Sequence, residues 1–298
     1  MRILITGDKG FVGTATRRAL EAMRRDDYPN MSKHQVFGFD IMDGFDIRDF
    51  DQLSGRIREH GIDRVLHLAA IARFDEADKD PVRTYETNVL GTRNVVLACE
   101  ENKVPLVHAS TGSCYMPIKQ TPPITEDFPI MGNSVYGCSK STAELIVQRA
   151  KVPWIALRYA HLYGKEKRFH GLIGGFLARI EHDLEPVLYG GKQSNDFCYI
   201  EDIATANVLA LEASFDKYNQ AYNIGTGEEL TAEEAGRIIC EAVGYTGETQ
   251  IKPQRGVDPE RFFYDVSKAE RMLGFKAAYD FKAGLADMAA QGAFVMQS

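Results

Sequence analysis

The chain of 298 residues predicts an α/β fold, a doubly wound parallel sheet with a smaller, mixed α/β lobe. Three observations predict it. Short apolar strands alternate with helical patterns through the first half, the order that builds a parallel sheet covered on both faces. A glycine-rich turn, Gly7 to Gly13, joins the first strand to the first helix. After Gly164 the alternation loosens into charge, glycine and separate helical pieces, which predicts the second lobe.

Taken in order, Arg2–Thr6 reads as a strand and Gly13–Arg24 as a helix. Gln35–Asp40 is a second strand, Asp51–His60 a helix, and Arg64–Ala70 a strand with few polar residues. Tyr85–Glu101 reads as one long helix, Pro105–Ser110 as a strand, Ser134–Ala150 as a helix and Trp154–Tyr163 as a strand. Beyond Gly164, helical patterns cover Leu172–His182, Ile203–Ser214, Ala232–Val243, Ser267–Leu273 and Phe281–Met296, with a short strand at Ala221–Gly225.

Composition narrows the function. A hydrophobic content of 44% with 26% charged residues is that of a soluble globular protein large enough to bury a substantial core. The net charge of −7 argues against a nucleic-acid surface, although a local pocket can still hold an anionic small ligand. Cys99, Cys114, Cys138, Cys198 and Cys240 are scattered without CxxC spacing, which fits a reducing compartment and no disulfide framework. No apolar run is long enough to span a membrane and no signal peptide is evident. The expectation is a cytoplasmic protein without metal, membrane or nucleic-acid partner.

The turn reads Thr6-Gly7-Asp8-Lys9-Gly10-Phe11-Val12-Gly13. A backbone without Cβ can approach a pyrophosphate closely, and the helix that follows aims its free N–H groups and positive dipole end at the phosphates. A plain tight turn also carries such glycines; the strand before and the helix after favour a dinucleotide loop. Asp40, at the end of the second strand, can accept hydrogen bonds from an adenosine ribose and would repel a 2′-phosphate, which points to NAD rather than NADP. Lys9, inside the loop, is a counter-signal, because a cation there could meet that phosphate.

Tyr136 and Lys140 lie four apart at the start of a predicted helix and share one face. A phenol titrates near pH 10, and a neighbouring ammonium favours the phenolate that a base needs near neutrality. Ser110-Thr111-Gly112-Ser113 ends the preceding strand and offers a hydroxyl to the reacting oxygen. The bland alternatives are a packed tyrosine beside a solvated lysine, and a polar turn.

Together these pieces make the chain resemble an extended short-chain dehydrogenase/reductase of the NAD-dependent epimerase/dehydratase family. The resemblance rests on the glycine loop, Asp40, Asp46-Ile47, His67-Leu68-Ala69-Ala70, Asn88-Val-x-Gly-Thr, Ser110-Thr111, Tyr136-x-x-x-Lys140 and Leu157-Arg-Tyr. Asp196-Phe-Cys-Tyr, Tyr222-Asn-Ile-Gly and Asp265-x-Ser-Lys follow in family order. It implies a Rossmann domain over 1–164, with 196–225 returning to it, and a substrate lobe from 165–195 and 226–298. It also implies that Asp46 and Ile47 line the adenine pocket, and that Leu68, Ala69 and Ala70 pack near the cofactor. Asn88 takes a structural or relay role; Thr111, Tyr136 and Lys140 carry the catalysis. His67 and His108 read as packed strand residues, and Cys114 and Cys138 as small packing residues. A homodimer through helices near Tyr85–Glu101 and Ser134–Ala150 is implied in the same way.

Three departures bear on the substrate. Gly112-Ser113 stands where dehydrating relatives carry Asp-Glu, so the acid and base for elimination are missing. His161 replaces the usual Asn after Arg-Tyr, and Asn195 replaces the usual Arg before Asp-Phe. Arg255 and Arg261 remain as phosphate-binding candidates. The expected activity is NAD-dependent epimerisation of a sugar, as a nucleotide sugar, through a keto intermediate. A net dehydrogenase or reductase and a cofactor-binding regulatory protein stay open as alternatives.

Overall fold

The computed structural model describes residues 1–22, 34–115, 122–165, 171–254 and 260–294. The chain begins with β1 (Arg2–Thr6), α1 (Phe11–Ala22), β2 (Gln35–Phe39), α2 (Phe50–Glu59) and β3 (Arg64–His67). Next come α3 (Phe74–Lys79), α4 (Pro81–Tyr85), a π-helical stretch at Glu86–Gly91, α5 (Thr92–Asn102), β4 (Leu106–Thr111), α6 (Val135–Val147) and β5 (Trp154–Tyr159). These strands and β10 (Gln220–Ile224) form one parallel six-stranded sheet in the order β10-β5-β4-β3-β1-β2. That is a doubly wound Rossmann sheet.

Alternation of side chains across the pleat divides the core in two. Ile3, Ile5, Leu66, Val107 and Leu157 face α1, packing with Ala15 and Leu20. Leu4, Val65, Leu106 and Ala156 face the other way, onto Leu53 and Ile57 of α2 and Val95 and Cys99 of α5. The nearly continuous apolar runs in β1 and β3 follow from burial on both faces.

The remainder is β6 (His161–Tyr163), α7 (Gly171–Glu181), β7 (Val187–Tyr189), β8 (Ser194–Asn195), β9 (Phe197–Tyr199) and α8 (Ile200–Glu212), then, after β10, β11 (Leu230–Thr231), α9 (Ala232–Val243), β12 (Gln250–Lys252), α10 (Ser267–Leu273) and α11 (Phe281–Ala290). Three two-stranded ribbons join these pieces, β8 with β11 antiparallel, and β7 with β12 and β6 with β9 parallel. Strand β10 pairs with β5 although some sixty residues of chain separate them, and α8 packs its apolar side into the α1 face of the sheet.

Four expected elements are corrected. The strand expected over Arg64–Ala70 ends at His67: the Leu68 N–H makes the last rung to the Thr6 carbonyl, and the Ala69 N–H turns to the Thr6 hydroxyl. The strand expected over Trp154–Tyr163 breaks at Ala160: Ala160 N–H still bonds to Ile224, but His161 N–H goes to Asp196 and starts β6. The helix expected from Tyr85 begins at Pro81, capped by the Asp80 carboxylate on Arg83 N–H, and widens into the π-helical stretch. The final helix ends at Ala290, well short of the expected Met296. Helix α3 was not expected. Arg24, at the expected end of the first helix, lies outside the described residues.

Candidate active site

The glycine loop takes its shape from two positions where no side chain fits. Gly7 has φ of +72°, and a Cβ on it would lie 2.8 Å from the Ala69 backbone. A Cβ on Gly13 would lie 2.3 Å from the Gly7 carbonyl oxygen. Gly7 N–H donates to Phe39 and Gly10 N–H to Gly7, so the loop is pinned before α1 starts at Phe11 and Val12. The first turn of such a helix presents N–H groups with no partner inside the helix. These residues fit a dinucleotide: the backbone comes close and the helix end is aimed at an anion.

Around this loop stand the other cofactor candidates. Asp40 is nearly buried and accepts N–H groups from Met42 at 2.9 Å and Lys9 at 3.1 Å. Asp46 is gripped by the Arg48 guanidinium, which holds its carboxyl below the usual range. Ile47 is buried and leaves no room for a Cβ on Gly91. Leu68 and Ala69 turn their N–H groups to Thr6 Oγ1, with Ala70 following half-buried in the same loop. Asn88 is buried with its amide fully committed, accepting from Ile71 N–H and donating to the Ile71 carbonyl and Ser139. That geometry ties the loop after β3 to the helix carrying Tyr136.

Thr111 ends β4, and its hydroxyl is the neighbour that pulls the buried Tyr136 phenol down against its burial. Ser134 caps α6 by accepting Gly137 N–H, which sets the first turn where Tyr136 sits. One turn on, the buried Lys140 ammonium donates to the Ala109 carbonyl at 2.6 Å. Burial pushes the Tyr136 phenol up to about 12, opposed in part by the Thr111 hydroxyl. Burial also holds Lys140 down to about 8. Lys140 is not among the groups that shift the phenol; in the chain alone, loss of water around the oxygen sets the direction.

Beneath these groups is a network that the sequence did not reveal. Arg158 on β5 forks onto Glu144 of α6, with Nη2 2.6 Å from Oε1, and both side chains are buried. Glu144 accepts the Ser110 hydroxyl at 2.5 Å, and Arg158 also donates to the Tyr115 hydroxyl. Tyr115 in turn donates to Asn223 on β10. Thus Ser110, next to Thr111, and Glu144, one turn past Lys140, are held by one charge pair. Phe74 on α3 lies edge-on to the Tyr136 ring at 5.2 Å, another neighbour that spacing could not show.

His67 is buried with its two ring nitrogens bonded to Thr6 and Thr92, and burial holds it down to about 3. His108 packs against it at 5.3 Å. Burial raises the Cys114 thiol, which argues against a thiolate there.

The substrate candidates gather along residues 194–199. His161 is edge-on to Phe197, and Asn195 lies opposite Leu230 in the β8–β11 ribbon. Arg261 forks onto Glu229 through Nε and Nη2. Arg255 lies outside the described residues. Asp196, noticed in the sequence only as a motif residue, accepts Thr226 N–H, the Thr226 hydroxyl, Gly227 N–H and Tyr264 N–H, and so gathers two distant segments on one buried carboxylate.

The sheet and the glycine loop are those of a dinucleotide-dependent enzyme. A model of the NAD dependent epimerase/dehydratase family matches residues 3–225, and the chain belongs to that family. A putative UDP-glucose 4-epimerase of Methanocaldococcus jannaschii is 30% identical, with 95% of each chain covered. The UDP-glucose 4-epimerase of Thermus thermophilus, solved with NAD, superposes with a TM-score of 0.81 at 27% identity, covering 97% of this chain and 98% of that one. That of Thermotoga maritima, solved with UDP-glucose, gives a TM-score of 0.84 at 25% identity, covering 97% and 98%. The family is NAD-dependent, and these likenesses favour an epimerase over a dehydrogenase.

Proposed function

We propose that the chain epimerises a nucleotide sugar such as UDP-glucose, with Thr111, Tyr136 and Lys140 as catalytic residues. The observation that carries this is the meeting of Thr111, at the end of β4, with the buried Tyr136 on α6, with Lys140 one turn behind it and the glycine loop two strands away. Gly7, Gly10, Phe11, Val12 and Gly13 would hold the pyrophosphate; Asp40, Asp46 and Ile47 the adenosine; and Leu68, Ala69, Ala70 and Asn88 the wall beside the nicotinamide.

Bound NAD would supply a hydride acceptor and donor, so that a substrate alcohol passes through a ketone and back. The chain itself moves the proton. As a phenolate, its own proton having left to solvent, Tyr136 Oη takes it from the substrate hydroxyl, and Thr111 Oγ1 bridges to the same oxygen. The buried Lys140 ammonium favours that phenolate until the proton arrives. Turning the ketone in the pocket exposes its other face. Residues 165–195 and 226–298 cover the substrate, with His161, Asn195, Arg255 and Arg261 as its contacts; residues 196–225 belong with the sheet.

The second reading is a net dehydrogenase, favoured by one observation: Arg261 is held by Glu229, which leaves the diphosphate clamp short of a cation. The test is incubation of the purified protein with UDP-glucose and UDP-galactose. Interconversion without accumulation of reduced nicotinamide supports the epimerase; stoichiometric NADH overturns it. Tyr136→Phe should lower turnover by roughly 10²–10⁴-fold and still bind NAD.

Two broader readings go with it. Val82, Leu90 and Leu145 are exposed on the helices after β3 and on α6, and support a homodimer through that face. Among the described residues no helix is long and apolar enough to cross a membrane, and the free cysteines support a cytoplasmic setting.

A further inference from the structure

Lys9 and Asp40 stand side by side at the mouth of the glycine loop, the Lys9 N–H donating to Asp40 Oδ2 at 3.1 Å. In this fold the carboxylate at that place faces the adenosine ribose, and a cation nearby is what accommodates a 2′-phosphate. Lys9 is such a cation, yet its ammonium is paired with the Asp43 carboxylate.

A local turn makes that pairing. Asp40 caps the short helical turn Ile41–Asp43, and Gly44 closes it at φ of +80°. Asp43 N–H donates to the Asp40 carbonyl at 2.9 Å, which folds Asp43 back over the loop. The same pattern repeats in the cleft of about 570 Å³ beside the loop, where another cation, Arg17, is paired with Asp8 at 2.8 Å. The Asp8 carboxyl lies where a Cβ on Gly38 would stand, so a buried carboxyl forms part of the cleft wall; of the other arginines lining the cleft, Arg18 is paired with Glu201 and Arg56 lies over the Phe45 ring.

We propose that Asp43 is a specificity-determining residue: by holding Lys9 it closes the cleft beside Asp40 to a 2′-phosphate and sets the preference for NAD over NADP. Asp40 repels that phosphate directly, while Asp43 cancels the one cation of the loop that could attract it. Lys9 and Asp43 are both about 40% exposed, so their pair is salt-screened and acts on selectivity rather than on stability. The inference rests on the reading of Gly7–Gly13 and Asp40 as the dinucleotide site.

The test is titration calorimetry of NAD and NADP on the full chain after removal of bound nucleotide, for the wild type, Asp43→Asn and Asp43→Asn with Lys9→Ala. The wild type should prefer NAD. In Asp43→Asn the NADP-to-NAD affinity ratio should rise about tenfold, the size of one new charge-assisted contact. Adding Lys9→Ala should return the ratio to the wild-type value. A wild type that binds NAD, with a ratio unmoved by Asp43→Asn, overturns this inference alone. A gain that survives Lys9→Ala also overturns it. A wild type that binds neither nucleotide overturns the dinucleotide reading and this inference with it.

Discussion

Two arginine–carboxylate pairs meet through the same Nε–Nη2 edge of the guanidinium in opposite surroundings. Arg158 meets Glu144 under the catalytic strand, with side chains 5% and 0% exposed. Arg261 meets Glu229 in the C-terminal lobe, with side chains 51% and 27% exposed. The first is sealed by Ser110 and Gln148, which donate to the Glu144 carboxylate, and by the Tyr115 hydroxyl, which accepts from Arg158. The second lies at the surface with Phe263 under the guanidinium. The contact alone says little about its role. In the interior a lost partner leaves an uncompensated charge; at the rim water replaces it, and what the pair decides is where a guanidinium points.

The largest effect should come from Glu144→Ala, which strands Arg158 and should cost about 3–5 kcal/mol in urea unfolding. A loss no greater than that of Glu229→Gln would break the comparison. Next is a pH effect beside the same pair. Burial lowers Lys140 to about 8 from 10.5. Below pH 8 folded and unfolded chains both carry the proton, and the folded chain bears the whole cost of a buried cation. Above it the unfolded chain binds more protons, so stability rises with pH until about 10.5. Relative to Lys140→Met, the wild type should gain about 1.4 kcal/mol per pH unit across that window. A difference that stays flat would mean that Lys140 is solvated.

Asp196→Ala should cost about 1–3 kcal/mol, because the N–H groups of Thr226, Gly227 and Tyr264 lose their acceptor. The smallest effect on stability belongs to Glu229→Gln, whose unfolding midpoint should match the wild type. It sharpens the comparison by its second readout: a freed Arg261 should tighten UDP binding by roughly threefold to tenfold. Unchanged UDP affinity would mean that Arg261 does not face the nucleotide.

Much of the sheet and of the cofactor loop was legible because their rules are local. Strand β1, the glycines and helix α1 follow one another within a few residues, and Tyr136 and Lys140 need only the period of a helix. Thr111 was legible from its place at a strand end. What escaped depends on partners far along the chain. Glu144 looked like any helix acid until Arg158 and Ser110 were brought to it. The break at Ala160 exists because Asp196, from a distant ribbon, offers its carbonyl to His161. Lys9 read as a possible phosphate ligand because nothing local announces that Ile41–Asp43 folds back onto it.

The sequence by itself determined the fold class, the place of the glycine loop and the face shared by Tyr136 and Lys140. Each follows from periodicity or from the identity of neighbouring residues. Tertiary structure alone decided the charge state of the site. Burial holds the Tyr136 phenol up and the Lys140 ammonium down, and distant carboxylates claim Arg158, Arg261 and Lys9. The physical reason is that a titration or an ion pair depends on the water removed and the charge brought close, and the folded packing sets both.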